Sequence, residues 1–154
     1  MSLLDALMNA VHLGFAGLWV GSVIFLTVAI LPLARTGAFD AAPLETVTGR
    51  LRWISRASAV LLFVSGGHLA GTRYTVDSLF GSPQGHLVLA MLTLWFVLAL
   101  LVERGSKRLA GGLAERKVRT PAREARPYFL AASLVGVFLF LNAAFLSVPT
   151  AILF

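Results

Sequence analysis

The sequence predicts an all-α integral membrane protein, a four-helix bundle with both termini outside the cell and its basic loops in the cytoplasm. Three observations predict it. Hydrophobic residues make up 58% of the chain and charged ones 13%, with a mean hydropathy of +0.85. A soluble domain carries about 25% charged residues, so lipid must be the solvent for much of this surface. The apolar residues gather in stretches near the roughly 20 residues that span a hydrocarbon core of about 30 Å. The Lys and Arg residues lie between those stretches and almost all on one side. At 154 residues there is room for one bundle, so residues 1–154 form a single transmembrane domain.

The first helix is expected over about residues 4–33, interrupted only by Asp5, Asn9 and His12, with Pro32 where a helix can stop or bend. The apolar run is too long for a signal-peptide core, and Asp5 stands where a basic leader would be. A loop follows over 34–50, and then a stretch mixing Arg50, Arg52 and Arg56 with Leu51, Trp53 and Ile54. It reads as an amphipathic turn at the interface, with its arginines reaching toward headgroups and Trp53 as an anchor. The second helix is expected over 53–71 and the third over 86–103. Residues 103–127 read as the longest polar loop, because Gly111, Gly112, Pro121 and Pro127 argue against a continuous helix. The fourth helix is expected over 128–153, with Pro149 near its end.

Orientation follows from the cations. Arg35, Arg50, Arg52 and Arg56 follow the first apolar segment. Arg104, Lys107, Arg108, Arg116, Lys117, Arg119, Arg123 and Arg126 follow the third. The opposite side has only Arg73. The positive-inside rule places both clusters in the cytoplasm of a multi-pass protein of the cell membrane, where they contact anionic lipid. This segregation also argues against nucleic acid as the reason for the net charge of +6.

No enzyme constellation is evident. The acids lie almost wholly in loops or at segment ends, there is no phosphate-binding loop and no HExxH motif, and the absence of cysteine excludes thiolate chemistry. What remains are three histidines, His12, His68 and His86. Each falls on a different helix, and the alternation of helix direction brings all three to the outer side at similar depth. Imidazole is the commonest side-chain metal ligand and a haem ligand. An ionisable group inside a span, as His12 is, reads as functional and as facing the bundle interior. His68 and His86 flank the outer loop and are equally readable as interfacial histidines in contact with water. Met8 precedes His12 by four residues, on one helical face, and Met91 follows His86 by five. Thioether with imidazole is a soft donor set that favours copper, Cu(I) above all. Met8 and Met91 can equally be ordinary apolar residues.

Phe15 and Trp19 continue the His12 face and line the core or cap a cofactor. Asn142, an amide in an apolar segment, needs a partner on another helix, either a histidine whose tautomer it would set or a plain interhelical bond. Gly14, Gly17, Gly21, Gly67 and Gly71 read as points of close helix packing within the chain.

The run His12-Leu13-Gly14-Phe15-Ala16-Gly17-Leu18-Trp19-Val20-Gly21, leading to Leu31-Pro32, resembles the first helix of the CopD-like copper resistance family. Arg52-Trp53-Ile54-Ser55-Arg56-Ala57, leading to Ser65-Gly66, is similar to its next helix, and Gly85-His86-Leu87-Val88-Leu89 to the start of the one after. The resemblance implies a membrane protein that moves or delivers copper. It carries over His12 alone among the histidines. His86 stands where that family more often has arginine. The HemJ type of haem-biosynthetic protein is a related four-helix arrangement with an N-terminal histidine. Three functions therefore stand side by side. One is copper uptake, export or delivery through an outer His/Met site, with a copper carrier or membrane subunit as partner. Another is a haem b protein of electron transfer, and the last a cofactor-free accessory subunit.

Overall fold

The computed structural model describes residues 2–148, and within them the secondary structure is helical throughout. Helix α1 runs over Leu3–Thr36, α2 over Ala41–Arg73, the short α3 over Val76–Gly81, α4 over Pro83–Ala114 and α5 over Arg119–Ser147. The expected end of the last helix, with Pro149, lies outside the described residues. Among the described residues, three helices are long and apolar enough to cross a membrane: α1, α4 and α5. In their most apolar windows only 28%, 17% and 22% of residues are buried, so apolar side chains face outward over most of the surface. That is the surface of a membrane protein rather than a water-soluble bundle. Helix α2 is as long, but Arg50, Arg52 and Arg56 lie along it.

The long helices form a ring. α1 packs on α2, α2 on α4, α4 on α5, and α5 back on α1. Each neighbouring pair is antiparallel: Asp5 meets His68 and His12 meets Ser65, Arg56 meets Glu103 and Phe63 meets Trp95, Leu87 meets Asn142 and Gly105 meets Tyr128, and Val20 meets Gly136 and Thr27 meets Phe129. Trp19, Val23, Leu98, Val102 and Phe129 fill the centre.

Local chemistry explains where each helix starts and bends. Ser2 caps α1 by accepting the Asp5 N–H at 3.1 Å, and the Asp5 carboxylate accepts the Ser2 N–H at 2.9 Å, a reciprocal capping box. Before Pro32 the helix widens into a π segment, Leu26–Ile30, in which the Leu31 N–H reaches back to the Leu26 carbonyl. A proline ring collides with the carbonyl four residues earlier, and the wider turn relieves that collision without ending the helix. The segment is fastened to α5: Thr27 Oγ1 lies 2.7 Å from the Val23 carbonyl and 3.2 Å from the Phe129 carbonyl, and Ser133 Oγ reaches Thr27 Oγ1 at 3.0 Å. Gly37 then closes α1 at φ +83, a left-handed conformation that favours glycine, with the Arg119 side chain lying across it.

Two expected loops are helix instead. The loop over 34–50 shrinks to a few residues, because α2 begins at Ala41 with Pro43 in its tolerant first turn. The amphipathic stretch is thus part of α2. Its Arg52 and Arg56 lie 3.5 and 3.0 Å from Glu103 of α4, while Trp53 is exposed. The polar loop over 103–127 is likewise replaced by continuations of α4 and α5 around a turn at residues 115–118. Glycine inside a helix costs only about 1 kcal/mol, and Gly112 recovers it through close approach, since a Cβ there would sit 2.5 Å from Pro121. Pro121 lies in the first turn of α5, and Pro127 inside it. At about 1.5 Å per residue both helices exceed the roughly 30 Å apolar core, so their charged ends form a hairpin beyond it.

The small residues that permit close packing are also different from those expected. A Cβ at Gly14, Gly17, Gly21, Gly67 or Gly71 would meet nothing within 4 Å. Besides Gly112, tight approaches include Gly136, where a Cβ would lie 2.6 Å from Val20, and Gly105, where it would lie 3.1 Å from Phe129 and Tyr128. Spacing along one helix cannot say which of its faces meets a neighbour. Gly136→Leu is therefore expected to lower stability by about 1–3 kcal/mol through overpacking, while Gly17→Leu leaves it unchanged. Thermal unfolding in detergent, followed by tryptophan fluorescence, distinguishes the two.

Candidate metal centre

The ring brings the three histidines to the same end of the bundle: His12 near the start of α1, His68 near the end of α2 and His86 at the start of α4. The two on α1 and α2 share one seam. Asp5, Met8 and His12 recur on α1 at intervals of three and four residues and so occupy one face. Ser65 and His68 answer them from α2, with His12 Nδ1 3.0 Å from Ser65 Oγ and His68 Nε2 3.1 Å from Asp5 Oδ1. Gly66 makes room for the ring, since a Cβ there would stand 3.0 Å from His12 Cε1.

The protons in this seam can be assigned by counting donors. The Ser65 hydroxyl has one hydrogen, donated to the Leu61 carbonyl at 2.6 Å. Ser65 Oγ must then accept, so His12 donates from Nδ1 and, when neutral, keeps its lone pair on Nε2. A carboxylate only accepts, so His68 donates from Nε2 and, when neutral, keeps its lone pair on Nδ1. The two Asp5 oxygens divide the work: Oδ2 holds the helix start and Oδ1 holds His68.

His86 stands apart. It lies on α4, diagonal to α1 in the ring, is exposed, and donates from Nε2 to the Phe80 carbonyl at 2.8 Å. That carbonyl is held in place by α3 and by the Ser82 cap of α4, whose hydroxyl accepts the Gly85 N–H at 3.0 Å. Met91 is half-buried on the same helix. Asn142 makes the plain interhelical bond, Nδ2 donating to the Leu87 carbonyl at 2.9 Å, one residue after His86. Trp19 is 1% exposed and belongs to the core.

Among the described residues, no group of three or more His, Asp or Glu side chains converges to hold a metal ion. The donor chemistry nevertheless suits a soft ion. Each imidazole gives one ring proton to a fixed acceptor (a hydroxyl, a carboxylate or a carbonyl) and, when neutral, keeps a lone pair on the other nitrogen. Metal-binding histidines are held this way. Met8 adds a thioether on the face that carries His12.

Residues 45–146, more than half of the chain, match the family model for copper resistance protein D. The chain belongs to the CopD family. No curated protein and no solved structure gives a match. The matched stretch takes in α4, α5 up to Leu146 and nearly all of α2, with His68, His86, Met91 and Asn142; α1, with Met8, His12 and Trp19, precedes it. Family membership together with three apolar helices makes this a membrane protein with a copper-related function.

Sequence reasoning missed Asp5 and Ser65 as the partners that orient the histidines. The signal for Asp5 was a carboxylate within an apolar stretch, a group that must find a partner. Ser65 carried none, because one serine in a helix looks like any other. The donor count is testable by 15N NMR of histidine-labelled protein. Neutral His12 is expected to carry its proton on Nδ1, and Ser65→Ala to move the population toward the Nε2–H tautomer.

Proposed function

We propose that this chain handles copper as cargo at the histidine end of the bundle, with His12, His68 and Met8 as donors in the α1–α2 seam. His86 and Met91, apart from that seam on α4, are donors for copper in transit and do not hold it by themselves. The observation that carries this reading is the orientation of the imidazoles, each with one nitrogen fixed and the other left free to bind. Cu(I) accepts few ligands and prefers thioether and imidazole. A site with few donors, partly open to solvent, suits an ion that must arrive and leave. Uptake, export and delivery are all compatible with it, and a copper carrier would dock at this end.

The same reading has α2 cross the bilayer as a fourth span, with both termini outside and the basic ends in the cytoplasmic membrane's inner surface layer. The grounds are its length of 33 residues, its antiparallel place in the ring, and the segregation of the cations. All but one of the Lys and Arg residues lie toward the end opposite the histidines.

Purified protein loaded with Cu(I) is expected to hold about one copper per chain, a count set by the donor set. Ser65→Ala and Asp5→Asn, which free the imidazoles without removing a ligand, are expected to weaken it roughly 10–100-fold. His12→Ala should abolish binding. Retention of copper by His12→Ala, or stoichiometric iron with a haem absorption band in its place, would overturn the reading. Topology has its own test. The chain has no cysteine, so Thr75→Cys gives a single thiol, which an impermeant reagent is expected to label from outside intact cells.

A further inference from the structure

We infer that the basic end of the bundle holds a defined binding site for the phosphate-bearing headgroup of an anionic lipid, formed by Arg104, Lys107, Arg108 and Tyr128. These residues line an open depression of about 400 Å³ between α4 and α5. The cations come from one face of α4, at spacings of three and four residues, and the phenol comes from α5. Gly105 brings the helices together here, since a Cβ would lie 3.1 Å from the Tyr128 Cβ. Tyr128 is thereby held at the rim.

The charges in this depression are not neutralised from within. Among the described residues neither Arg104 nor Arg108 pairs with a carboxylate. Lys107 lies 3.6 Å from Glu103, but that one carboxylate is also met by Arg56 at 3.0 Å and Arg52 at 3.5 Å. Like charges four apart on a helix repel, so Arg104 and Arg108 side by side call for an anion. Arginine binds phosphate oxygens in bidentate fashion, and a tyrosine hydroxyl can donate a further bond.

Depth and apolar flank favour a lipid over a free anion. The depression sits where α4 passes from its apolar run to Glu103 and where α5 leaves its charged end at Tyr128. That is the level of headgroups. From Arg104 the same face of α4 continues through Leu100 and Phe96, both exposed, as a track for an acyl chain.

Native mass spectrometry of the detergent-purified chain, titrated with phosphatidylglycerol, tests this. Wild type is expected to bind it in preference to zwitterionic phosphatidylcholine. The double variant Arg104→Gln/Arg108→Gln should bind it about 25-fold more weakly, at about fivefold per cation near a membrane surface. Arg50→Gln/Arg116→Gln removes the same charge elsewhere and should bind like wild type. Equal loss in both variants would overturn the site in favour of diffuse attraction. Displacement of the lipid by an equal concentration of inorganic phosphate would overturn the lipid assignment in favour of a free anion. Both variants alter exposed side chains, and unchanged thermal unfolding would establish that each is folded.

Discussion

A polar side chain that leaves water for a hydrocarbon solvent must find its partner inside the protein, and that requirement organises this bundle from end to end. At the histidine end, Asp5 divides its oxygens between the helix start and His68, and Ser65 passes a proton to its own helix while accepting one from His12. In the middle, Thr27 and Ser133 meet across α1 and α5 at the widened turn. On the other side of the ring, Asn142 ties α5 to α4. At the basic end, one carboxylate, Glu103, gathers cations from two helices. Polar contacts of this kind cost little once satisfied and much if broken, so they set the register of each helix pair.

Close packing makes those contacts reachable. In lipid there is no hydrophobic drive between helices, and association depends on backbones approaching one another. Gly136 admits Val20 of α1, Gly105 admits Phe129 and Tyr128, and Gly112 admits Pro121. Gly66 does the same for a functional side chain, receiving the edge of the His12 ring. The prolines are accommodated by position: Pro32 behind a π turn, Pro43 and Pro121 in first turns.

The result is a molecule with two chemically different ends. One carries imidazoles, a thioether and a carboxylate on antiparallel helices, and suits a soft cation. The other carries all but one of the Lys and Arg residues, eight of them on the α4–α5 hairpin that extends beyond the apolar slab, and suits the anionic surface of a bilayer. The family match covers residues 45–146, which take in both the basic end and the α2 face of the histidine seam, while α1 supplies His12 and Met8 to that seam from outside the matched stretch.

Short motifs around His12, Arg52 and Gly85 carry the copper-family resemblance, and composition and patterning alone establish an all-helical membrane protein with histidines on separate helices. Those are properties of long stretches, where apolar length and the sorting of charges sum over many residues and no single contact can reverse them. Helix limits were legible only in part. Gly111, Gly112 and Pro121 are breakers in isolation, yet α4 and α5 stay helical to within a few residues of each other, with Gly112 packed closely against Pro121. Likewise, Gly14, Gly17 and Gly21 are indistinguishable by spacing from the glycines that pack, because period identifies a face and not what lies opposite it. The partners of the histidines belong to the same class. That Ser65 faces His12 and that Asp5 faces His68 depends on the rotation and offset of α1 against α2, and those are set by long-range packing that no local pattern encodes.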